Sequence, residues 1–390
     1  MGKSLSPEVP QYPYYAGWIP REYAERLITA NGEFLVRNTQ REKGGTDLVL
    51  SAKFEDQFWH YIIFYDGSKY YFKSQVMTKS SVHELIEHYV FSQQPVGKQG
   101  VVLKKPFVRP KNFYEDEQVE MKKKIGAGSF GEVYYGIFHA DTVTECAVKS
   151  IKSGSENVES IKRERTKFVR EAFTMLKLCH PNILAAYGLL FDKDPVKLVM
   201  EYAPDGSLDK YLKNATTEEA PVSVLERFGA DAAKGLEYLA TMKVIHADIA
   251  ARNCLVGIDK VLKITDFGLS HTGYRTVRLK EMNYAPVKWM APEAINKFEL
   301  SSKTDVWAYG VLLWEIFSRC KTEPYPQMTV QQITKHINKV KPPLNLPEEM
   351  PELYKKVTMQ CFETDPSKRI SAEKIVKLCE KAAVEKELQF

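Results

Sequence analysis

Cysteine is scarce in this chain: six in 390 residues, at 146, 179, 254, 320, 361 and 379. None pair at C-x-x-C spacing, and the first 145 residues have none. That excludes a disulfide scaffold or a Cys-rich zinc module and points to reduced thiols in an intracellular, reducing compartment. Long apolar runs are missing too. The most apolar stretch, "VWAYGVLLWEIF" (306–317), is too short to span a bilayer and carries Glu315. No signal-peptide apolar region follows Met1. Charge of one sign is nearly absent as a bias: the formal net charge is +5, too small to argue for nucleic acid. Internal repeats and low-complexity blocks are also lacking. What remains is an ordinary globular composition, and the length suggests two or three domains.

The start of the chain, "MGKSLSP", places Gly2 and Ser6 at myristoylation spacing, with Pro7 as a departure from it. One acyl chain anchors weakly, and no nearby Cys or basic cluster offers a second signal. Lipidation at Gly2 would therefore give reversible association with the inner plasma membrane.

Residues 1–13 hold three prolines and few large aliphatics and read as a flexible leader. Residues 14–97 form a compact α+β pattern. "PREYAERLITANG" (20–32) opens with proline at a helix start and closes on Asn-Gly, predicting a helix. "EFLVRN", "DLVLSAKF", "FWHYIIFYDG" and "KYYFKS" read as strands. "SSVHELIEHYVF" (80–91) predicts a second helix, with Ser81 and Glu84 as a capping box and Val82, Leu85, Ile86 and Tyr89 as its buried face. Residues 98–118 carry Lys98, Lys104, Lys105, Arg109 and Lys111 and read as a basic linker. A larger unit covers 119–380, strands first and then mostly helices, followed by a short tail, 381–390.

The order helix, "FLVRNT", strands, helix resembles a Src-homology-2 (SH2) domain, a central antiparallel sheet flanked by two helices. Arg37 lies mid-strand beside apolar Leu35 and Val36, so its stem points to a covered site. A guanidinium holds a phosphate through two parallel hydrogen bonds, which an ammonium cannot do. Thr39 and nearby backbone N–H groups are further donors. The resemblance implies phosphotyrosine binding at Arg37 and Thr39 with Arg21 and His60 as helpers. Asn38, in place of a common Glu, and Ile62, in place of a common Lys, depart from it.

In the larger unit, "IGAGSFGEV" carries G-x-G-x-x-G-x-V at Gly126, Gly128, Gly131 and Val133, a weak signal alone. Lys149 follows in "CAVK", and Glu171 lies in the helical pattern "FVREAFTML". Then come Asp248 and Asn253 in "HADIAARN", "DFG" at 266–268 and "APE" at 291–293. Their order across the chain resembles a eukaryotic protein kinase, a bilobal fold. The resemblance implies ATP and Mg²⁺ as cofactors, with Mn²⁺ as an alternative. It places the nucleotide against Gly126, Ala127, Gly128, Ser129, Phe130, Gly131, Val133, Lys149, Glu171, Met200, Glu201 and Ala203. Asn253 and Asp266 would hold the metal, Asp248 would accept the hydroxyl proton, and Lys149 and Arg252 would balance phosphate charge. Serine/threonine kinases usually carry Lys two residues after the catalytic Asp; here Ala250 stands there and the cation is Arg252. "AARN" and "PVKWMAPE" resemble tyrosine kinases. Arg369 is the expected ion-pair partner of Glu293.

Ala247 replaces the arginine of the H-R-D motif, which in the family reads a phosphorylated residue of the activation loop. The loop tyrosines are Tyr274 and Tyr284, whereas Val277 stands where non-receptor tyrosine kinases commonly place the activating one. Tyr274 is the candidate autophosphorylation site, and activity is expected to need little loop phosphorylation.

An SH2 domain feeding a kinase through about twenty residues resembles the Fes/Fer group of non-receptor tyrosine kinases, here without that group's long membrane-binding coiled-coil region. In such enzymes the SH2 domain supports the helix that carries the glutamate, here Glu171. The resemblance implies phosphotyrosine proteins and tyrosine substrates as partners, cadherin–catenin junction or cytoskeletal proteins among them, a monomer, no nucleic acid, and a cytoplasmic location with the nucleus open. The competing reading is a kinase-independent scaffold at phosphotyrosine-containing complexes.

Overall fold

The computed structural model describes residues 11–41, 45–73, 77–128, 131–151, 157–279 and 286–387. Gly2, Ser6, Ser129, Phe130 and Tyr284 lie outside the described residues. The chain divides into two compact units: Met1–Phe173 with Ala186–Glu201, and Thr174–Ala185 with Tyr202–Phe390.

The first unit holds two sheets. One is built from β1 (Glu33–Gln40), β2 (Thr46–Phe54), β3 (Gln57–Tyr65), β4 (Tyr70–Phe72) and β5 (Thr78–Lys79), with β6 (Lys105–Pro106) added in parallel beside β1. Helices α1 (Arg21–Leu27) and α2 (Val82–Ser92) accompany it. Side chains alternate across a strand. Phe34 and Val36 therefore enter a core with Leu48, Leu50, Leu85 and Tyr89, while Leu35 and Arg37 share the other face. The apolar positions expected on α2 are all buried.

Two local expectations change. Helix α1 stops at Leu27, short of the Asn-Gly at 31–32, because the buried Glu33 carboxylate accepts from the N–H groups of Thr29 (2.6 Å) and Ala30 (2.9 Å) and closes the chain into a turn. The box at α2 is half formed. Ser81 Oγ accepts from Glu84 N at 3.1 Å, but the Glu84 carboxylate reaches back to Ser80, its N–H and hydroxyl, instead of Ser81 N–H.

The second sheet has the order β7 (Phe113–Tyr114), β11 (Ala186–Leu190), β12 (Lys197–Glu201), β10 (Val143–Ser150), β9 (Gly131–His139), β8 (Val119–Gly128). Helix α3 (Val158–Met175) begins in this unit. Val119, Phe138, Val148, Leu190 and Val199 form the core of the sheet. Residues 98–118, read from composition as a linker, contribute an edge strand to each sheet, and Val101, Leu103 and Phe107 are buried.

Several contacts join the two sheets' elements. Trp18 N–H donates to Phe191 O at 2.9 Å. Arg109 donates to Asp192 at 2.8 Å and stacks on Phe191; burial of that carboxyl pushes it up to about 6, with Arg109 opposing. The Tyr23 ring of α1 lies 5.0 Å from the Phe173 ring of α3, and the Arg165 guanidinium of α3 lies 4.6 Å over Trp18. Gly17 has φ +58°, and a Cβ there would sit 2.0 Å from Phe191 O.

The second unit is mostly helical: α4 (Leu208–Asn214), α5 (Val222–Thr241), α6 (Pro292–Lys297), α7 (Ser302–Phe317), α8 (Val330–Lys339), α9 (Glu352–Cys361) and α10 (Ala372–Glu387). Short strand pairs accompany them: β13 (Val244–Ile245) with β16 (His271–Thr272), β14 (Cys254–Val256) with β15 (Leu262–Ile264), and β17 (Thr276–Arg278) with β18 (Glu299–Ser301). Helix α7 is buried on every side from Thr304 to Phe317. That explains the near-continuous apolar run in its sequence. No helix among the described residues is long and apolar enough to cross a membrane.

Gly17→Ala is expected to lower the free energy of unfolding by about 2 to 3 kcal/mol, combining left-handed strain with the clash at Phe191. Gly100 also has positive φ but open space around its Cβ position, so Gly100→Ala should cost about 1 kcal/mol. Urea unfolding of both variants measures the difference; equal losses would mean that the close approach at Phe191 is unimportant.

Candidate functional site

The first cluster lies on the face of the β1–β2–β3 sheet opposite the core. Register pairs Arg37 with Val49, and Ser51 with both Leu35 and His60. Arg37 is 5% exposed, and its Nε donates to Ser51 Oγ at 3.1 Å. Its two terminal nitrogens have no partner among the described residues, so a two-pronged donor stands ready for an anion. Burial, with Arg21 nearby, pulls the guanidinium down to about 10. His60 bridges Ser51 Oγ (2.9 Å) and a Glu25 carboxylate oxygen (3.0 Å), and Arg21 Nε donates to the same Glu25 oxygen at 2.9 Å. Burial raises the Glu25 pKa, but hydrogen bonds from Arg21 and His60 outweigh it and hold the carboxyl below its ordinary range. A cavity of about 560 Å³ opens beside Arg37, with Arg21, Glu25 and Thr39 in its wall. Thr39 still belongs to β1 rather than to the turn after it. Asn38 turns its amide N–H to Tyr15 Oη at 2.6 Å.

The second cluster, in the same unit, surrounds Lys149. Lys149 pairs in register with Val133 on one side and Leu198 on the other, and its ammonium lies 2.7 Å from the buried Glu171 carboxylate. The glycine-rich turn ends β8 and starts β9, where Gly128 pairs with Gly131 and Ala127 with Glu132. A Cβ on Gly131 would lie 2.0 Å from Ser150 O, whereas one on Gly126 would meet only Val133 at 3.7 Å. Gly131 is thus required by close approach and Gly126 is not. Met200 is buried and pairs with Ala147; Glu201 pairs with Cys146.

In the second unit, Ala203 accepts from Gly206 N–H at 3.2 Å, and its own N–H makes no hydrogen bond among the described residues. The loop after β13 carries the third cluster. Asp248 is held by Arg252 on one oxygen and by Asn253 Nδ2 at 2.7 Å on the other. Asn253 spends its amide N–H groups on Asp248, leaving Oδ1 unpartnered among the described residues. Asn253 O accepts from Thr265 N–H at 2.9 Å, and the β14–β15 hairpin fixes that approach. Asp266, at φ +65°, follows directly. An amide oxygen and a carboxylate are oxygen donors of the kind that suit a hard divalent cation. The fully buried His246 donates its Nε2–H to Thr265 O (3.0 Å) and packs edge-on against Phe267.

Two carboxylates of α7 anchor this loop. Asp305 accepts from the N–H groups of His246 (2.8 Å) and Ala247 (2.9 Å). Glu315 accepts from Ala251 N–H (2.9 Å) and the Trp289 indole N–H (3.0 Å). Burial pushes both up to about 7, with those hydrogen bonds pulling the other way. Sequence reasoning missed both; the only signal was a charge inside an apolar helix. Arg252 stacks 4.1 Å over Trp289, which joins "AARN" to "PVKWM".

Ala247 is held at φ +65°. Its methyl, with Val277 and Leu279, packs against the core of Ile245, Met290 and Leu300, and Val277 pairs with Leu300 across β17 and β18. Tyr274 is 59% exposed. Arg369 meets Glu293 through two hydrogen bonds, 2.6 and 3.0 Å, as expected from the sequence.

Comparison with known proteins agrees with this geometry. The profile of protein tyrosine and serine/threonine kinases matches residues 119–378, and that of SH2 domains matches 14–89. The chain is 37% identical to human tyrosine-protein kinase Fer over 91% of its own length and 42% of that protein's. It is 32% identical to Fer-related kinase 1 of Caenorhabditis elegans over 96% of this chain and 94% of that one. It is 36% identical to the tyrosine-protein kinase transforming protein Fps of avian sarcoma virus (strain PRCII), covering 94% and 69%. The chain thus spans less than half the length of human Fer.

Arg369→Ala should lower the free energy of unfolding by about 3 to 5 kcal/mol, because it strands the buried Glu293 carboxylate. Urea denaturation measures this, and a loss under about 1 kcal/mol would show that water replaces the guanidinium.

Proposed function

The chain belongs to the Fer/Fps group of protein tyrosine kinases with an SH2 domain, and we propose that it transfers the γ-phosphoryl group of ATP to protein tyrosines while bound to phosphotyrosine proteins. The observation that carries the reading is the hold on Asp248: Arg252 and Asn253 grip its two oxygens, in a loop anchored by two buried carboxylates. A carboxylate so oriented accepts the proton of an incoming hydroxyl. Phosphoryl transfer asks mainly for positioning and charge neutralisation. Lys149, fixed by Glu171, neutralises the non-transferred phosphates. Gly126, Ala127, Gly128, Ser129, Phe130, Gly131 and Val133 cover the nucleotide, while Met200, Glu201 and Ala203 face the adenine, with the open Ala203 N–H as donor. Asn253 and Asp266 would hold the divalent ion, Mg²⁺ or Mn²⁺, which would offset phosphate charge. Arg252, stacked on Trp289, balances phosphate charge beside Asp248.

Arg37, with Arg21, Thr39 and His60, binds the phosphotyrosine of a partner protein. This localises the enzyme, and contacts from Trp18 and Tyr23 to α3 support the helix bearing Glu171. Junctional cadherin–catenin complexes and cytoskeletal proteins are the proposed partners. The proposed location is cytoplasmic, with reversible membrane association through Gly2, and the proposed state is a monomer. The apolar packing of Ala247, Val277 and Leu279 takes the place of a phosphate–arginine pair, so activity needs little loop phosphorylation.

Asp248→Asn should cut phosphorylation of poly-Glu/Tyr with Mg-ATP by about 10²- to 10⁴-fold, with wild-type phosphopeptide binding retained. Transfer to serine peptides at a comparable rate would defeat the assignment of tyrosine. Tyr274→Phe should keep the rate within about tenfold, or roughly 1.4 kcal/mol of barrier; a larger loss would mean that loop phosphorylation controls the enzyme.

A further inference from the structure

The cavity beside Arg37 is not walled by the SH2 fold alone. Among its described lining residues, the SH2 fold supplies two cations, Arg21 and Arg37, and two carboxylates, Glu22 and Glu25. These charges cancel. A phosphotyrosine carries a charge of about −1.5 to −2 at neutral pH, so further cations in the wall of this cavity strengthen its hold. The remaining lining residues come from α3: Lys162, Arg165 and Thr166.

Lys162 is half-buried and forms no ion pair among the described residues. Arg165 is 6% exposed; it gives Nη2 to Asp194 at 2.7 Å and lays its guanidinium over Trp18, the residue that leads into α1. Its Nε is buried without any hydrogen-bond partner. A buried donor left unpaired is costly and marks a place where a ligand atom or water belongs. Lys162, whose ammonium has no ion-pair partner among the described residues, Arg165 and Thr166 thus line the same cavity as Arg37.

We propose that Lys162 and Arg165 of α3 form part of the phosphotyrosine-binding pocket, adding their positive charge to that of Arg37 on the SH2 wall. The inference rests on the reading of Arg37 as the phosphate-binding residue. Its consequence is a ligand held jointly by the SH2 fold and by the helix that carries Glu171, so that the site's affinity depends on residues outside the SH2 sequence. Lys162 is the sharper probe, because Arg165 also packs against Trp18.

The test is isothermal titration of the full chain with a phosphotyrosine peptide and its unphosphorylated counterpart at low ionic strength, using wild type, Lys162→Gln, Lys162→Arg and Arg37→Met. Lys162→Gln is expected to weaken phosphopeptide binding about tenfold, a change of about 1.4 kcal/mol. Lys162→Arg should restore it, and the thermal unfolding midpoints should stay alike. Raising the salt should narrow the gap between Lys162→Gln and wild type. If Arg37→Met abolishes binding while Lys162→Gln stays within twofold of wild type, the composite pocket is refuted and the SH2 reading stands. If Arg37→Met binds as wild type does, or the unphosphorylated peptide binds equally well, the reading of Arg37 itself falls.

Discussion

Two carboxylates buried in α7 hold the catalytic loop, and the chemistry of the second unit depends on them. Asp305 and Glu315 each accept two N–H groups, three of the four from the loop backbone between 246 and 251 and one from Trp289. Carboxylates in such a place are tolerated only because those donors satisfy them. The same bonds fix the path of the chain, so that Asp248 presents its oxygens to Arg252 and Asn253. Asp305 also explains why Ala247 is no defect. The carboxylate holds the backbone N–H of residue 247, and with it the left-handed conformation at that position. A side chain at 247 is not needed for that bond, so alanine at this position leaves the geometry of Asp248 intact.

In the first unit α3 plays the comparable part. It carries Glu171 to Lys149, packs Phe173 on Tyr23 and Arg165 on Trp18, and sends Lys162 and Arg165 to the cavity at Arg37. The cavity at Arg37 and the Lys149–Glu171 pair are thus both lined or held by side chains of one helix. A helix transmits displacement along its axis as a nearly rigid body, its backbone bonds being internal to it. The apparent linker adds to this unit by edge pairing to both sheets. Its basic composition hid that role, since edge strands two residues long leave no alternation to read.

The readable residues were those whose chemistry restricts the residue type. Arg37 stood out as a cation in an apolar strand, and Lys149, Asp248, Asn253 and Asp266 by their order along the chain. The α2 core followed from its 3.6-residue period. Glu33 illustrates what escaped: it ends α1 early through bonds to two N–H groups, and nothing in "ITANGEF" marks it as a buried acceptor. Glu84 likewise bonds Ser80 rather than closing the box with Ser81, a choice between neighbours that spacing cannot resolve.

The sequence by itself determined the two folds, the order of the kinase motifs, the arginine set in an apolar strand at 37 and the cation at Arg252. Each depends on local periodicity or on a residue type fixed by its reaction. Tertiary structure alone decided the rest: Asp305 and Glu315 as anchors of a loop some sixty residues earlier, Gly17 as the close approach to Phe191, and Lys162 and Arg165 as walls of a cavity begun by Arg37. These are meetings of groups far apart in the chain, set by packing and by the need to pair buried charge, and a linear pattern holds no record of them.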